Sequence, residues 1–321
     1  MTADVSIDRL GIHDSVAAVF PPAELRAELE ELPVGVSIVG DDDAVDGSGG
    51  SVADPPVDAV VTFEHRDWFA DLAWVHSIQA GVDRFPQETF ADRSVVLTNS
   101  TGIHDRTVGE TVAGFLLSFA RRLHRHVANQ GNRRWDPPEW DEAFTLPGTQ
   151  ACVLGTGTLG RGVAEVCGAL GVEMTGVRRS GDPVPGFEAV RPVEELHEAV
   201  ADVDFVIVTL PHTDATDGLV GEDVFAAMGE DASLVNVGRG PVVDEAALID
   251  ALEADEIAGA ALDVFETEPL PEDSPLWGMD EVIVTPHCAA FTRDYFRDIA
   301  DLVRENVGRI ERGEEFSNRV V

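Results

Sequence analysis

The chain has 321 residues, a length for two domains or one large α/β domain. Sixty Asp and Glu stand against 22 basic residues, a formal net charge of -38, and every one of those basic residues is Arg. With no Lys, a P-loop lysine, a Schiff-base lysine and a lysine general base are excluded, and the acidity argues against nucleic-acid and anionic-membrane partners.

In chain order, the first hundred residues alternate short β-rich runs with helical ones. Strands are expected at Val5–Leu10, Val34–Val39, Val57–Phe63, Trp74–Ile78 and Val95–Asn99. Helices are expected at Pro22–Leu32, opened by a proline, and near Trp68–Leu72. That alternation predicts a parallel sheet with crossover helices. Gly40–Pro56 reads as a solvated loop: its acids miss the spacing of a calcium loop and no closing Glu is in place, so no metal is expected. Thr107–Asn129 is the longest helical pattern, apolar along one face, with Arg and His toward its C-terminal end. An irregular connection containing Pro137 and Pro138 follows.

A second α/β series begins at Thr149. Strands are expected at Ala151–Leu154, Val172–Val177, Phe205–Leu210, Ser233–Val237, Ala258–Asp263 and Val282–Thr285. Helices fit between them at Thr158–Leu170, Pro192–Ala199, Glu222–Met228 and Asp244–Glu253. Six strands with five connections is the count of a doubly wound nucleotide-binding domain. Beyond Thr292 the chain reads as one amphipathic helix, Arg293–Arg312, and a polar tail.

Three sets of residues carry chemistry. Gly155-Thr-Gly157-Thr158-Leu159-Gly160 follows an apolar strand and opens an apolar helix, the context of the dinucleotide fingerprint. Gly155 permits the tight turn, Gly157 lets a pyrophosphate approach the backbone, and Gly160 lets helix and sheet pack closely. At the end of the next strand, where an NAD enzyme places an acid for the ribose, the chain reads Val177-Arg178-Arg179-Ser180. Two guanidinium groups and a hydroxyl are donors for a 2′-phosphate, which favours NADP(H) over NAD(H). The third set is Arg239, Glu268 and His287, each just beyond a predicted strand end. An Arg can hold a carboxylate bidentately. A His can exchange a proton near neutral pH, and a carboxylate on its other nitrogen orients it and favours its charged form.

These segments together resemble the D-2-hydroxyacid dehydrogenases, the family of D-lactate, glycerate/glyoxylate and formate dehydrogenases. The likeness runs over nearly the whole chain and is strongest from Leu146 to Ala290, carried by NVGRGPVVDEAAL, LDVFETEPLP and VIVTPHCAA. It implies two doubly wound α/β domains: a Rossmann-type cofactor domain at 101–290, and a smaller flavodoxin-like substrate domain built discontinuously from 1–100 and 291–321. It implies Arg239 as the substrate-carboxylate residue, Glu268 as the carboxylate partner, and His287 as acid/base. The Ser77–Asp83 loop, with Ile78, Gln79, Ala80 and Gly81, would meet the substrate carboxylate through backbone N–H groups. Besides Gly155, Gly157, Thr158, Leu159, Gly160, Arg178, Arg179 and Ser180, cofactor contacts would include Leu210, Pro211, Val237, Gly238, Asp263, Ala289 and Ala290. The Thr107 helix is implied to lie in a homodimer interface. Two departures stand out: Arg178 replaces the usual acid, and Cys288-Ala-Ala-Phe291 replaces the commoner Ile-Ala-Gly.

The expected activity is reversible reduction of a 2-keto acid to a D-2-hydroxy acid, with NADP(H) preferred and NAD(H) the second choice. A hydroxypyruvate/glyoxylate reductase within the family is one alternative. A non-catalytic, nucleotide-sensing corepressor-like protein is another, against which the intact Arg–Glu–His set counts. The surplus of acids, on a chain that is 44% apolar, reads as a solvated shell around an ordinary core rather than as disorder. Such self-repulsion is screened in molar salt, where the Debye length is about 3 Å; a halophilic, cytoplasmic protein is expected. Cys152, Cys167 and Cys288 have no metal-ligand spacing and read as reduced thiols. The opening MTADVSIDRL carries no basic segment followed by an apolar run, so no signal peptide is expected, and no run is long enough to span a membrane.

Overall fold

Short runs of mostly β-branched and other apolar residues make the strands, and the helices between them return the chain so that neighbours pair in parallel. The computed structural model describes residues 5–44 and 56–321. Most of the Gly40–Pro56 loop, and the first four residues of the opening segment, lie outside the described residues. The chain divides into two compact units, one of Met1–Ile103 with Phe291–Val321 and one of His104–Ala290.

The first unit holds β1 (Arg9–His13), β2 (Gly35–Val39), β3 (Ala59–Thr62), β4 (Trp74–Ser77) and β5 (Val96–Thr98) in the order β2-β1-β3-β4-β5. That is the flavodoxin-like order. Helix Tyr295–Arg312 supplies much of its core: Ile299, Val303 and Val307, spaced along one face, join Leu25, Leu29, Leu10 and Ile12 in one buried cluster. The first strand starts at Arg9 rather than Val5, because β2 pairs with it residue for residue from Arg9 to His13 and the Asp58 carboxylate takes the N–H groups of Asp8 and Arg9 at its entry. The helix expected near Trp68–Leu72 is a single 3-10 turn, Asp67–Asp71.

Seven strands, one more than expected, build the second unit: β6 (Gln150–Leu154), β7 (Glu173–Arg178), β8 (Ala189–Pro192), β9 (Phe205–Val208), β10 (Ser233–Asn236), β11 (Gly259–Leu262) and β12 (Val282–Val284). Their order is β12-β11-β10-β9-β6-β7-β8, the Rossmann order with a further strand at one edge. The unanticipated β8 is a half-exposed edge strand ending in proline, so it shows neither an apolar run nor alternation. The helix expected at Pro192–Ala199 starts later, as a 3-10 turn at Val193–Glu195 and then Leu196–Val200. The long pattern at Thr107–Asn129 is two helices, Asp105–Ala120 and Leu123–Gly131, broken at Arg122 with φ 54°. The break is tied from outside the helices: Phe144 N–H donates to Ala120 O and Arg122 Nε to Glu142 O, at 2.8 and 2.9 Å. Helices cover both faces of the sheet and bury two separate apolar clusters. Among the described residues no helix is long and apolar enough to cross a membrane.

One polar thread runs through the first unit's core. Trp74 Nε1 donates to Thr98 Oγ1 at 2.8 Å, His76 Nδ1 lies 2.8 Å from the same oxygen, and Ser100 Oγ lies 3.2 Å from His76 Nε2 and donates to Ser77 O. Because the Ser100 hydroxyl is spent on Ser77 O, Nε2–H donates to Ser100, and a Thr98 hydroxyl donating to Nδ1 completes the thread on a neutral imidazole. Complete burial agrees, driving the His76 pKa down from 6.5 to about 3. A His that is neutral when folded takes up a proton on unfolding below pH 6.5, so its contribution falls as the pH drops from there toward 3, at up to about 1.4 kcal/mol per unit. The unfolding free energy of wild type relative to His76→Gln, from denaturant titrations, is therefore expected to shrink between pH 6.5 and 4.5. Parallel pH profiles for the two proteins would contradict it.

Candidate active site

Because all seven strands of the second unit are parallel, the segments that leave them emerge on one edge. Gly155 follows β6, Arg178 ends β7, Leu210 and Pro211 follow β9, Val237 and Gly238 follow β10, Asp263 follows β11, and His287–Ala290 follow β12. Strand order reverses between β6 and β9, which opens the crevice where open α/β sheets bind ligands. There the chain is stitched by Thr209, whose Oγ1 donates to Gly155 O at 2.7 Å. Thr209 gave no signal in the sequence beyond its place after an apolar run.

The glycine turn has the shape a dinucleotide requires. Gly155 adopts φ +103°, open only to glycine at low cost. A Cβ on Gly160 would lie 2.0 Å from Gly155 O, so helix Thr158–Ala169 could not seat against the turn. A Cβ on Gly157 would meet nothing within 4 Å, so the space beside that residue is open, at a helix N-terminus that no side chain caps. Backbone N–H groups facing open space at the positive end of a helix suit a pyrophosphate. Arg178, Arg179 and Ser180 are exposed at the end of β7.

His287 is held in a left-handed conformation, φ 52°, unusual for a residue with a side chain. Its own N–H donates to Asp263 O at 2.8 Å, and the buried Asp263 carboxylate accepts from Thr285 Oγ1, Cys288 N and Ala289 N at 2.6, 2.9 and 2.9 Å. The ring is oriented in turn by Glu268, whose Oε2 lies 2.7 Å from Nδ1 while Oε1 accepts from Phe265 N. Arg239 stands on a turn built by Asn236: its Oδ1 accepts from Gly238 N and its Nδ2 donates to Arg239 O, while Arg239 Nη1 donates to Gly238 O at 2.7 Å. Asn236, 1% exposed, went unremarked in the sequence, though Asn at a strand end is the signal of such a turn. His104, which precedes helix Asp105–Ala120, was also missed. Burial, and then the nearby Arg239 guanidinium, hold its pKa down to about 4, so it adds no second charge beside Arg239 at neutral pH.

The remaining predicted residues, Ile78, Gln79, Ala80 and Gly81, belong to the first unit, in the segment that leaves β4. All three cysteines are free thiols. Burial pushes Cys152 up to about 11 and Cys167 up to about 12, and raises Cys288 above its ordinary value. Among the described residues no cluster of His, Cys, Asp or Glu could hold a metal ion.

Fold, glycine turn and strand-edge residues define a dinucleotide-binding α/β enzyme. A sequence model described as the D-isomer specific 2-hydroxyacid dehydrogenase, NAD binding domain, matches residues 113–289, more than half of the chain. The chain belongs to the D-isomer specific 2-hydroxyacid dehydrogenase family, NAD(P)-dependent oxidoreductases. A D-isomer specific 2-hydroxyacid dehydrogenase from Xanthobacter autotrophicus Py2, solved in complex with NADPH and MES, is 32% identical with a TM-score of 0.78, over 98% of each chain. A family protein from Aeromonas salmonicida is 30% identical with a TM-score of 0.82, over 98% of this chain and 99% of its own. Glyoxylate/hydroxypyruvate reductase A of Citrobacter koseri is 32% identical over 268 residues, 83% of each chain.

The second and third glycines of the turn separate stability from binding. Gly160→Ala, forced against the Gly155 backbone, is expected to destabilise the protein by about 1–3 kcal/mol and to lower its melting temperature. Gly157→Ala, which enters open space, is expected to leave the melting temperature within a degree or two while weakening dinucleotide affinity at least tenfold, read by titration calorimetry.

Proposed function

We propose that this protein reduces a small 2-keto acid to the D-2-hydroxy acid, with NADP(H) as its preferred dinucleotide and NAD(H) as the weaker one. The observation that carries the reading is the His287–Glu268 pair, locked at 2.7 Å on a left-handed backbone at the ligand-binding edge of the sheet. With Nδ1 engaged by Glu268, Nε2 is the nitrogen that gives its proton to the carbonyl oxygen and takes it back in the reverse direction. Glu268 stabilises the imidazolium form. Arg239 holds the substrate carboxylate. Gly155–Gly160 and the start of helix Thr158–Ala169 hold the pyrophosphate, and Arg178, Arg179 and Ser180 the 2′-phosphate. The bound nicotinamide supplies the hydride for the carbonyl carbon. In this reading the cofactor domain is 101–290, and the substrate domain is 1–100 with 291–321.

Two observations support the dinucleotide preference: guanidinium groups stand where an acid would accept from a ribose, and the Xanthobacter relative binds NADPH. The name of the Citrobacter relative favours glyoxylate and hydroxypyruvate as the first substrates to try. Rates with a panel of 2-keto acids are expected to be at least tenfold higher with NADPH than with NADH at low dinucleotide concentration. Arg178→Asp is expected to narrow or invert that ratio. His287→Ala is expected to lower kcat by a factor of at least 10³, in the range general acid–base catalysis supplies. Turnover within tenfold of wild type would remove His287 from the proton transfer.

The protein is further proposed to be a homodimer adapted to high salt. Val127, Trp135 and Trp140 are 68%, 100% and 91% exposed on and after helix Leu123–Gly131, an apolar surface that a second copy would cover. The acidic surplus opposes association and folding until it is screened. Sedimentation is expected to show a dimer in molar salt, with loss of activity and structure on dialysis into dilute buffer. A monomer active in both would reject this.

A further inference from the structure

The Ile78–Gly81 segment, which the family resemblance assigns to the substrate carboxylate, has its carbonyl groups tied down one by one. Tyr295 OH donates to Ile78 O, Ser100 N–H donates to Gln79 O at 3.1 Å, and Asn99 Nδ2 donates to Ala80 O at 2.7 Å. Three successive carbonyls thus point at donors from Asn99–Ser100, just beyond β5, and from helix Tyr295–Arg312. The amides of the segment divide differently. Ile78 N–H donates to Thr62 O at 2.9 Å, the last step of the pairing between β3 and β4, and Gln79 N–H donates to Ser77 Oγ at 3.2 Å. Ala80 N–H and Gly81 N–H have no such partner among the described residues, and both residues are half-exposed.

Peptide geometry makes these facts one constraint. Each peptide unit is planar and trans, with its C=O and N–H pointing in opposite directions, so anchoring the carbonyls of Ile78 and Gln79 turns the N–H groups of Gln79 and Ala80 the other way. Anchoring Ala80 O does the same for Gly81 N–H. Since Ser77 Oγ takes the first of these, two adjacent amides remain presented for an acceptor. Adjacent backbone N–H groups without a partner can serve one carboxylate.

We propose that Tyr295 and Asn99 are positioning residues that, by holding the carbonyls of Ile78 and Ala80, set the directions in which the backbone N–H groups of the Ile78–Gly81 segment face the substrate carboxylate. This rests on the reading above that the segment binds the carboxylate at all. It assigns the orientation of those amides to side chains nearly 20 and more than 200 residues away in the sequence. Tyr295 suits this role because its ring is buried against Phe20, and burial with the nearby Asp298 charge raises its pKa, so the hydroxyl stays a donor. Asn99 is itself braced, its Oδ1 accepting from Thr101 N at 3.2 Å, which fixes which end of the amide faces Ala80. The polar thread through His76 ends on the same segment, since Ser100 Oγ donates to Ser77 O at 2.8 Å.

Tyr295→Phe removes one anchor without a change of shape, and Asn99→Asp replaces a donor to Ala80 O by an acceptor while keeping the brace to Thr101. Each is expected to raise KM for the 2-keto acid about three- to tenfold, the worth of one hydrogen bond. kcat and KM for NADPH should stay within twofold and the melting temperature nearly unchanged. Where Tyr295→Phe lowers the folded yield, Asn99→Asp, on the half-exposed side, carries the same comparison. In the wild-type NADP+ complex, the non-reducible 2-keto acid isostere oxamate is expected to shift the backbone amide resonances of Ala80 and Gly81, and to shift them less in both variants. Unchanged KM in both variants, with the wild-type shifts present, overturns the positioning role and leaves the carboxylate reading standing. Absence of the Ala80 and Gly81 shifts in wild type overturns the carboxylate reading itself. Parallel losses in kcat and in both KM values would mark general structural damage and overturn the proposal.

Discussion

The proposed chemistry hangs on one buried carboxylate. Asp263 leaves β11 as a chain end that must turn, and it holds the neighbouring segment after β12 with four hydrogen bonds, one from its backbone oxygen and three from its side chain. A buried carboxylate without donors would be expensive; here the donors are the Thr285 hydroxyl and the backbone N–H groups of Cys288 and Ala289, in the segment that carries His287. The same bonds keep His287 in a left-handed conformation it would not otherwise hold, and that conformation delivers its ring to Glu268. Arg239 depends on an analogous arrangement one strand over, where Asn236 closes the turn. The side chains proposed for catalysis are therefore carried by turns whose shape is fixed by buried polar residues in the adjoining strand ends.

A chain with a formal charge of -38 and no Lys must still gather anions. In the proposed reading it has two kinds of positive element for the purpose: guanidinium groups and backbone N–H. Arg178, Arg179 and Arg239 occupy strand ends, while the glycine turn and the Ala80–Gly81 amides offer peptide dipoles. Peptide donors add positive potential without adding net charge, and they are fixed by the fold rather than by flexible side chains. His104 is kept neutral beside Arg239 for a related reason, because burial and that guanidinium both disfavour a second cation there.

The local signals that were legible in the sequence are those with short-range causes. The glycine turn, the apolar strands of the second unit, and the Arg239, Glu268 and His287 segments announce themselves because each needs particular residues at adjacent positions. β8 was silent because an edge strand ending in proline has no pattern to show. The break at Arg122 was silent because its cause lies some twenty residues on, at Glu142 and Phe144. Val5–Leu10 misplaced the first strand because its own composition fits a strand equally well; the pairing with β2 and the Asp58 carboxylate decide the register.

By itself the sequence determined the fold class, the family, and the residue types available for chemistry, since periodicity, turn glycines and motif spacing are properties of adjacent residues. Only the tertiary structure decided the roles of Asn236, His104, Thr209 and Tyr295. His104, Thr209 and Tyr295 each meet a group from a distant part of the chain, which leaves no mark on spacing, while Asn236 works inside its own turn and shows its role only through the bonds that turn makes. The direction of the Ile78–Gly81 carbonyls belongs to the same class: a peptide's orientation is set by what it is bonded to, and here the partners lie at Asn99, Ser100 and Tyr295.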